Sequence, residues 1–189
     1  TIGASKGSYE GYDANRHTTF VVNVSEKPDS LEAKNGNDAV DLREVSSYEE
    51  FEKTNIFGKG DFNEAFAQYF IGDSFLNPLT DPKETAVFLA NVTFEPGCRN
   101  NWHIHHAKKG GGQLLICTAG EGWYQEKGKE AVSLKAGMVI TIPPEVKHWH
   151  GAKKDSWFSH IAVEVPGERT SNEWCEAVTD EEYNELEEK

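Results

Sequence analysis

From Ala65 onward the chain is written in short apolar runs, at 69–76, 85–94, 113–118, 122–126, 131–134, 138–142 and 157–165, each bounded by Gly, Pro, Asn or Asp. Strand-length runs at this spacing, with no helical periodicity between them, predict an antiparallel sandwich or barrel, an all-β class. A barrel of that kind has an interior wide enough for a small ligand. Residues 1–45 read differently: polar and turn-rich, with one apolar alternation at 17–24, they predict an arm carrying a single strand. A capping serine followed three residues later by Glu, in the stretch 46–51, predicts a short helix over 47–54. Thr179-Asp180-Glu181-Glu182 repeats that signature and opens an acidic helix to about residue 188. The organisation expected is an N-terminal arm (1–64) with one strand and a short helix, a barrel (65–178) and a C-terminal helix (179–189).

A length of 189 residues suits one core with extensions. The net charge of −13, from 32 acidic and 19 basic residues, argues against nucleic acid and against an anionic membrane surface, both of which need clustered Lys and Arg. No apolar stretch reaches the roughly 20 residues that cross a bilayer. The expectation is a soluble protein with a small-molecule partner. Cys98, Cys117 and Cys175 are odd in number and widely spaced, which fits reduced thiols in a cytoplasmic protein. The chain opens on Thr1, so a processed leader remains compatible with that reading. Open barrel edges, together with the apolar Phe20-Val21-Val22 of the arm, lead us to expect a homodimer.

The histidines add chemistry. His103 and His105 stand two residues apart, and side chains at i and i+2 of a strand project from one face. His148 follows a second glycine and a proline pair, so it comes from a distant strand. Three imidazoles and a neutral oxygen ligand make a divalent metal site. By the same alternation His106 faces away from its neighbours and is expected at the surface. His150 shares the parity of His148, and His160 lies on another run. If both point inward they are titratable groups near neutral pH, suited to moving a proton.

The linked spacings Gly97-x5-His103-x-His105, Gln113-x6-Gly120 and Gly137-x5-Pro143-x4-His148 resemble the two signature motifs of the cupin superfamily, over about residues 65–175. The resemblance implies an antiparallel, jelly-roll-like cupin barrel holding one divalent transition metal on His103, His105, Gln113 and His148. Three departures stand out. Gln113 replaces the acidic ligand of the first motif after a gap of seven residues where the family has three or four. Glu145 replaces a glycine of the second motif, and Ala152 an asparagine. With three imidazoles and an amide oxygen the ion keeps its full charge and is a stronger Lewis acid. That donor set suits Mn, Fe, Ni, Co or Zn.

Within the superfamily the chain resembles the cupin-type hydroxynitrile lyases and the cupins associated with carboxymuconolactone decarboxylase domains. The stretches His148-Trp149-His150-Gly151-Ala152 and Ser159-His160-Ile161-Ala162 carry this likeness. It implies His150 and His160 as pocket acid/base groups. The leading expectation is therefore a metal-dependent, non-redox lyase acting on a small oxygenated molecule, with manganese among the candidate ions. The alternatives are an Fe-dependent dioxygenase and a metal-bearing binding protein without turnover. The aromatics Trp102, Trp123, Tyr124, Trp149, Trp157 and Phe158 are expected to pack in the core and rim. Lys108, Lys109 and Gly110-Gly111-Gly112 are expected to form a solvated hairpin tip, and Cys117 a buried apolar filler.

Overall fold

The computed structural model describes residues 48–187. The predicted arm strand at 17–24, its proposed part in a dimer, the capping serine and residues 188–189 lie outside the described residues. The chain runs through α1 (Tyr48–Thr54), β1 (Asp61–Phe62), a 3-10 turn (Glu64–Tyr69), β2 (Phe70–Ile71), β3 (Ser74–Pro78), β4 (Phe88–Phe94), β5 (Arg99–Asn100) and β6 (His103–His106). It continues through β7 (Lys109–Gly110), β8 (Gln113–Glu126), β9 (Val132–Lys135), β10 (Val139–Ile142), β11 (His148–Ala152), β12 (Phe158–Glu164), β13 (Gly167–Glu168), β14 (Ser171–Trp174) and α2 (Asp180–Glu187). Every strand pairing is antiparallel, and the main sheet curls into the expected barrel.

One strand turns the corner. The runs at 113–118 and 122–126, expected as two strands, are one fourteen-residue strand, β8. Its first half pairs with β10 and β12, its second half with β9 and β11. Gly120 marks the changeover at φ +68°, and a Cβ there would overlap the Trp157 carbonyl. Buried positions are odd-numbered from Gln113 to Ala119 and even-numbered at Gly122 and Tyr124, so the strand changes phase at the glycine. A glycine read as a break between strands is instead what lets one strand serve both walls.

Two apolar clusters hold the barrel. Val92, Phe94, Leu115, Cys117, Leu134, Ile140, Ile142 and Phe158 form one. In the other, Trp102 and Trp149, the latter on the face of β11 opposite His148 and His150, meet Val178, Tyr183 and Leu186 of the C-terminal segment. The capping box of α2 forms as expected: Thr179 Oγ1 accepts the Glu182 N–H at 3.1 Å, and Glu182 Oε2 accepts the Thr179 N–H at 3.0 Å. Buried Arg99 donates from Nε to the Val178 carbonyl and reaches the Asp180 carboxylate, while Tyr183 Oη donates to the Ala152 carbonyl at 2.7 Å. α1 docks through buried Phe51, stacked on Trp157 at 5.8 Å, and β1 pairs with β3. Of the six aromatics assigned to core and rim, Trp102, Tyr124, Trp149 and Phe158 are buried and Trp123 and Trp157 half-buried. Cys117 is buried as expected.

The glycine-rich insertion also finds a place. Lys109–Gly110 pairs with Gly167–Glu168 as a two-stranded ribbon outside the barrel, rather than ending in a free hairpin tip. Gly112 then passes so close to the Ile142 carbonyl that no Cβ fits, and the chain re-enters the barrel wall at Gln113.

Gly120→Ala is expected to lower stability by about 1–3 kcal/mol in urea denaturation, combining left-handed strain with the overlap at Trp157. Gly128→Ala, at φ +81° with nothing within 4 Å of the added carbon, should lose only the conformational part. Equal losses at both positions would show that the β8 corner has no special demand for glycine.

Candidate metal centre

The site begins with strand alternation. Along β6 the burial pattern sends His103 and His105 inward and His106 outward. His148 opens β11 as the direct cross-strand partner of His103, with ring centroids 4.1 Å apart. His105 lies 5.2 Å from His103 and 5.4 Å from His148 by the same measure. One ring nitrogen from each of the three lies within 4.8 Å of the others, and all three residues are buried.

Hydrogen bonds orient the rings. The Nδ1–H of His103 donates to the Asn101 carbonyl, that of His148 to the Val146 carbonyl, and that of His105 to Asn172 Oδ1, each at 2.9 Å. A carbonyl oxygen only accepts, so the proton sits on Nδ1 and the lone pair on Nε2. His105 Nε2 and His148 Nε2 are buried without a partner, and so is Gln113 Oε1. An unsatisfied buried polar atom costs about 1–3 kcal/mol, and three together are a standing penalty that a cation accepting their lone pairs would relieve. The residues therefore fit a divalent metal: a cluster of three buried imidazoles, two of them with a free Nε2, and a buried amide oxygen without a partner on Gln113.

Burial keeps His103 and His148 neutral. His148 is pushed down to about 4 by loss of water, and His103 well below the ordinary imidazole range by burial and by repulsion from His148 and His105. A neutral imidazole is the ligand form, so neither of these two rings has to lose a proton near pH 7.

Glu164 is the residue that sequence reasoning missed. It ends β12 as the cross-strand partner of Gln113 and accepts Gln113 Nε2–H on Oε1 at 2.9 Å. Its Oε2 stands 3.4 Å from His105 Nδ1. Burial pushes the carboxyl up, but the bonds from His105 and Gln113 outweigh it and hold the group below its usual range, ionised. The view of a site with no carboxylate to offset a cation is thus corrected: none is in the expected ligand set, and one lies directly behind it. Glu164 shares the parity of His160 on its strand, the one signal in the chain that pointed to it. Asn172 gave no such signal, because β14 reaches His105 only through its long-range pairing with β6. Trp174 of the same strand covers His103 at 4.8 Å and stacks on Tyr69 at 4.6 Å.

His150 and His160 both point inward, with centroids 4.7 Å apart, and His150 lies 5.6 Å from His103. A register slip in the β12–β8 ladder between Ser159 and His160 aims the second ring. Asn100 Oδ1 accepts the His150 backbone N–H at 2.9 Å, which turns the Asn100 amide nitrogen toward His150 Nε2 at 3.1 Å. His150 Nε2 then accepts, Nδ1 carries the proton, and Nδ1–H donates to His160 Nε2 at 3.2 Å. The expectation of near-neutral titration is corrected. Burial lowers His160 to about 4 and His150 well below the ordinary range, so both are neutral imidazoles at pH 7.

On the outer face, half-exposed His106 bridges Glu145 at 2.7 Å and Glu173 at 2.8 Å. The bonds from Glu173 and Glu145 raise its pKa. Glu145 occupies a left-handed conformation, φ +68°, where the motif has glycine, and its Oε1 accepts the Ala107 N–H at 3.0 Å. That bond and the His106 pair compensate the backbone strain.

The metal-free protein should lose stability as pH falls from about 6.5 to about 4. Over that window the unfolded chain protonates His148 and His160 while the fold keeps them neutral, at about 1.4 kcal/mol per pH unit for each group. Urea midpoints recorded with chelator from pH 7 to 4.5 measure the slope, and a flat profile would contradict it.

Comparison with known proteins agrees with this architecture. Residues 90–163 match the family described as "Cupin domain". An (R)-mandelonitrile lyase of Granulicella tundricola is 39% identical over 118 residues, 62% of this chain and 87% of that protein. The crystal structure of a cupin-like protein from Thermotoga maritima superposes with a TM-score of 0.60 at 37% identity, covering 69% of this chain and 95% of that one. The shared barrel, and a related sequence that spans most of the length of these two relatives, place the chain in the cupin family, as a small type-2 member.

Proposed function

We propose that this protein is a metal-dependent cupin lyase that cleaves a small, neutral, hydroxyl-bearing molecule of the cyanohydrin type. His103, His105, His148 and Gln113 would hold one divalent transition ion, Mn, Fe, Ni, Co or Zn. The observation that carries the reading is the set of buried, partnerless donor atoms on His105, His148 and Gln113, next to the neutral pair His150 and His160. The identity to a mandelonitrile lyase supports the reaction class.

When bound, the ion would act as a Lewis acid that lowers the pKa of a hydroxyl group. The chain's own residues supply the rest. His150 Nε2 accepts the hydroxyl proton once Asn100 gives way, and its Nδ1 proton moves to His160 Nε2, so the positive charge passes from His150 to His160. The C–CN bond breaks as the oxygen becomes a carbonyl, and the electron pair leaves with cyanide, which takes the proton back as hydrogen cyanide. The ionised Glu164 behind His105 and Gln113 favours an uncharged substrate over an organic acid.

Two outcomes test the reading. A saturating divalent ion, at about 100 times its dissociation constant, should stabilise the fold by about 2.7 kcal/mol and raise the melting temperature by roughly 5–10 °C, reversibly with chelator. His148→Ala should abolish that shift. The metallated protein should release cyanide from mandelonitrile without oxygen, and His150→Ala should lower kcat by about 10²–10⁴ with the metal retained. Oxygen uptake by the Fe-loaded form in step with substrate loss, and no anaerobic cyanide release, would replace the lyase by a dioxygenase.

A further inference from the structure

The four expected ligands are not equivalent in how they are held. Each of the three imidazoles is oriented by an oxygen acceptor on Nδ1, two of them backbone carbonyls. An amide has no such built-in polarity, because its oxygen and nitrogen ends have nearly the same shape and only the partners decide which end faces inward. At Gln113 the partner is Glu164. The two residues are opposite each other on β8 and β12, Gln113 Nε2 donates to Glu164 Oε1 at 2.9 Å, and Gln113 Oε1 is left buried and free. The other carboxylate oxygen stands 3.4 Å from the Nδ1 of His105.

We propose that Glu164 is the positioning residue of this centre: an acceptor-only group that forces the oxygen of Gln113 toward the three imidazoles and secures the same edge of His105. An ionised carboxylate has no hydrogen to give, so a flipped amide would set oxygen against oxygen, and the flipped state is excluded. The pairing also accounts for the glutamine. A glutamate at 113 would put a second carboxylate at hydrogen-bond distance from Glu164, and like charges that close cannot both stay ionised. Position 113 is neutral because the charge has moved one residue outward, to the strand alongside. The centre therefore keeps one negative charge behind the ligands, which tempers the cation without occupying a coordination position.

This inference rests on the metal reading above, and the test separates the two. Apo-protein is titrated with Co²⁺, followed by the visible ligand-field spectrum and by metal analysis after desalting, for wild type, Glu164→Leu, Glu164→Gln, Gln113→Glu and the exchange variant Gln113→Glu/Glu164→Gln. Glu164→Leu should weaken Co²⁺ binding by about 10–100-fold and change the spectrum, while Glu164→Gln, whose carbonyl still accepts from Gln113, should stay within about threefold. Gln113→Glu should bind poorly and the exchange variant should recover, because it restores one donor opposite one acceptor. Binding by Glu164→Leu equal to wild type, or an exchange variant no better than Gln113→Glu, would overturn the positioning role and leave the metal site intact. Wild-type protein that takes up no Co²⁺ would remove both. If Glu164→Leu fails to fold, judged by its melting transition, the exchange pair still decides the question.

Discussion

The arrangement depends on burying imidazoles whose Nδ1 protons are already committed. A histidine at the surface can rotate, change tautomer or protonate. His103, His105 and His148 have lost the first two freedoms, because each Nδ1–H is held by an oxygen, and burial keeps His103 and His148 from protonating. What remains is an inward lone pair in a medium of low dielectric. Such a set is unfavourable alone and favourable around a cation, so a barrel interior that carries it is organised for an ion before any ion arrives.

The interruptions of regular structure do the aiming. β8 changes phase at Gly120 so that one strand contributes to both walls, and the β12 ladder slips beside His160 so that its ring meets His150. The stretch between His105 and Gln113 is paired off against Gly167–Glu168 outside the barrel, which returns Gln113 to the interior despite the extra residues. Each irregularity is held by neighbours that tolerate nothing else there: the Trp157 carbonyl over Gly120, the Ile142 carbonyl over Gly112.

Charge is sorted by depth. Inside the barrel His103, His148, His150 and His160 are neutral, and the part-exposed carboxylate Glu164, ionised, is held behind them by Gln113 and His105. Outside, the Glu145–His106–Glu173 bridge ties the loop before β11 to β14, on the strand that also carries two inward-facing histidines. The alternation of one β-strand thus separates a histidine that clamps a loop in solvent from neighbours that are kept dry.

Much was legible in the chain. Period-two apolar runs announced strands, His103-x-His105 announced one face, Thr179 and Glu182 announced the cap of α2, and the motif spacings brought Gln113 and His148 into the same argument. These are local features, governed by backbone periodicity and by contacts within a few residues. The tertiary structure decided what lies between distant segments: that β8 is one strand, that Glu164 stands behind Gln113, that Asn172 fixes His105 and Asn100 fixes His150, and that burial strips His150 and His160 of their ordinary basicity. Cross-strand register and loss of water depend on long-range pairing, and neither leaves a mark on the order of residues along the chain.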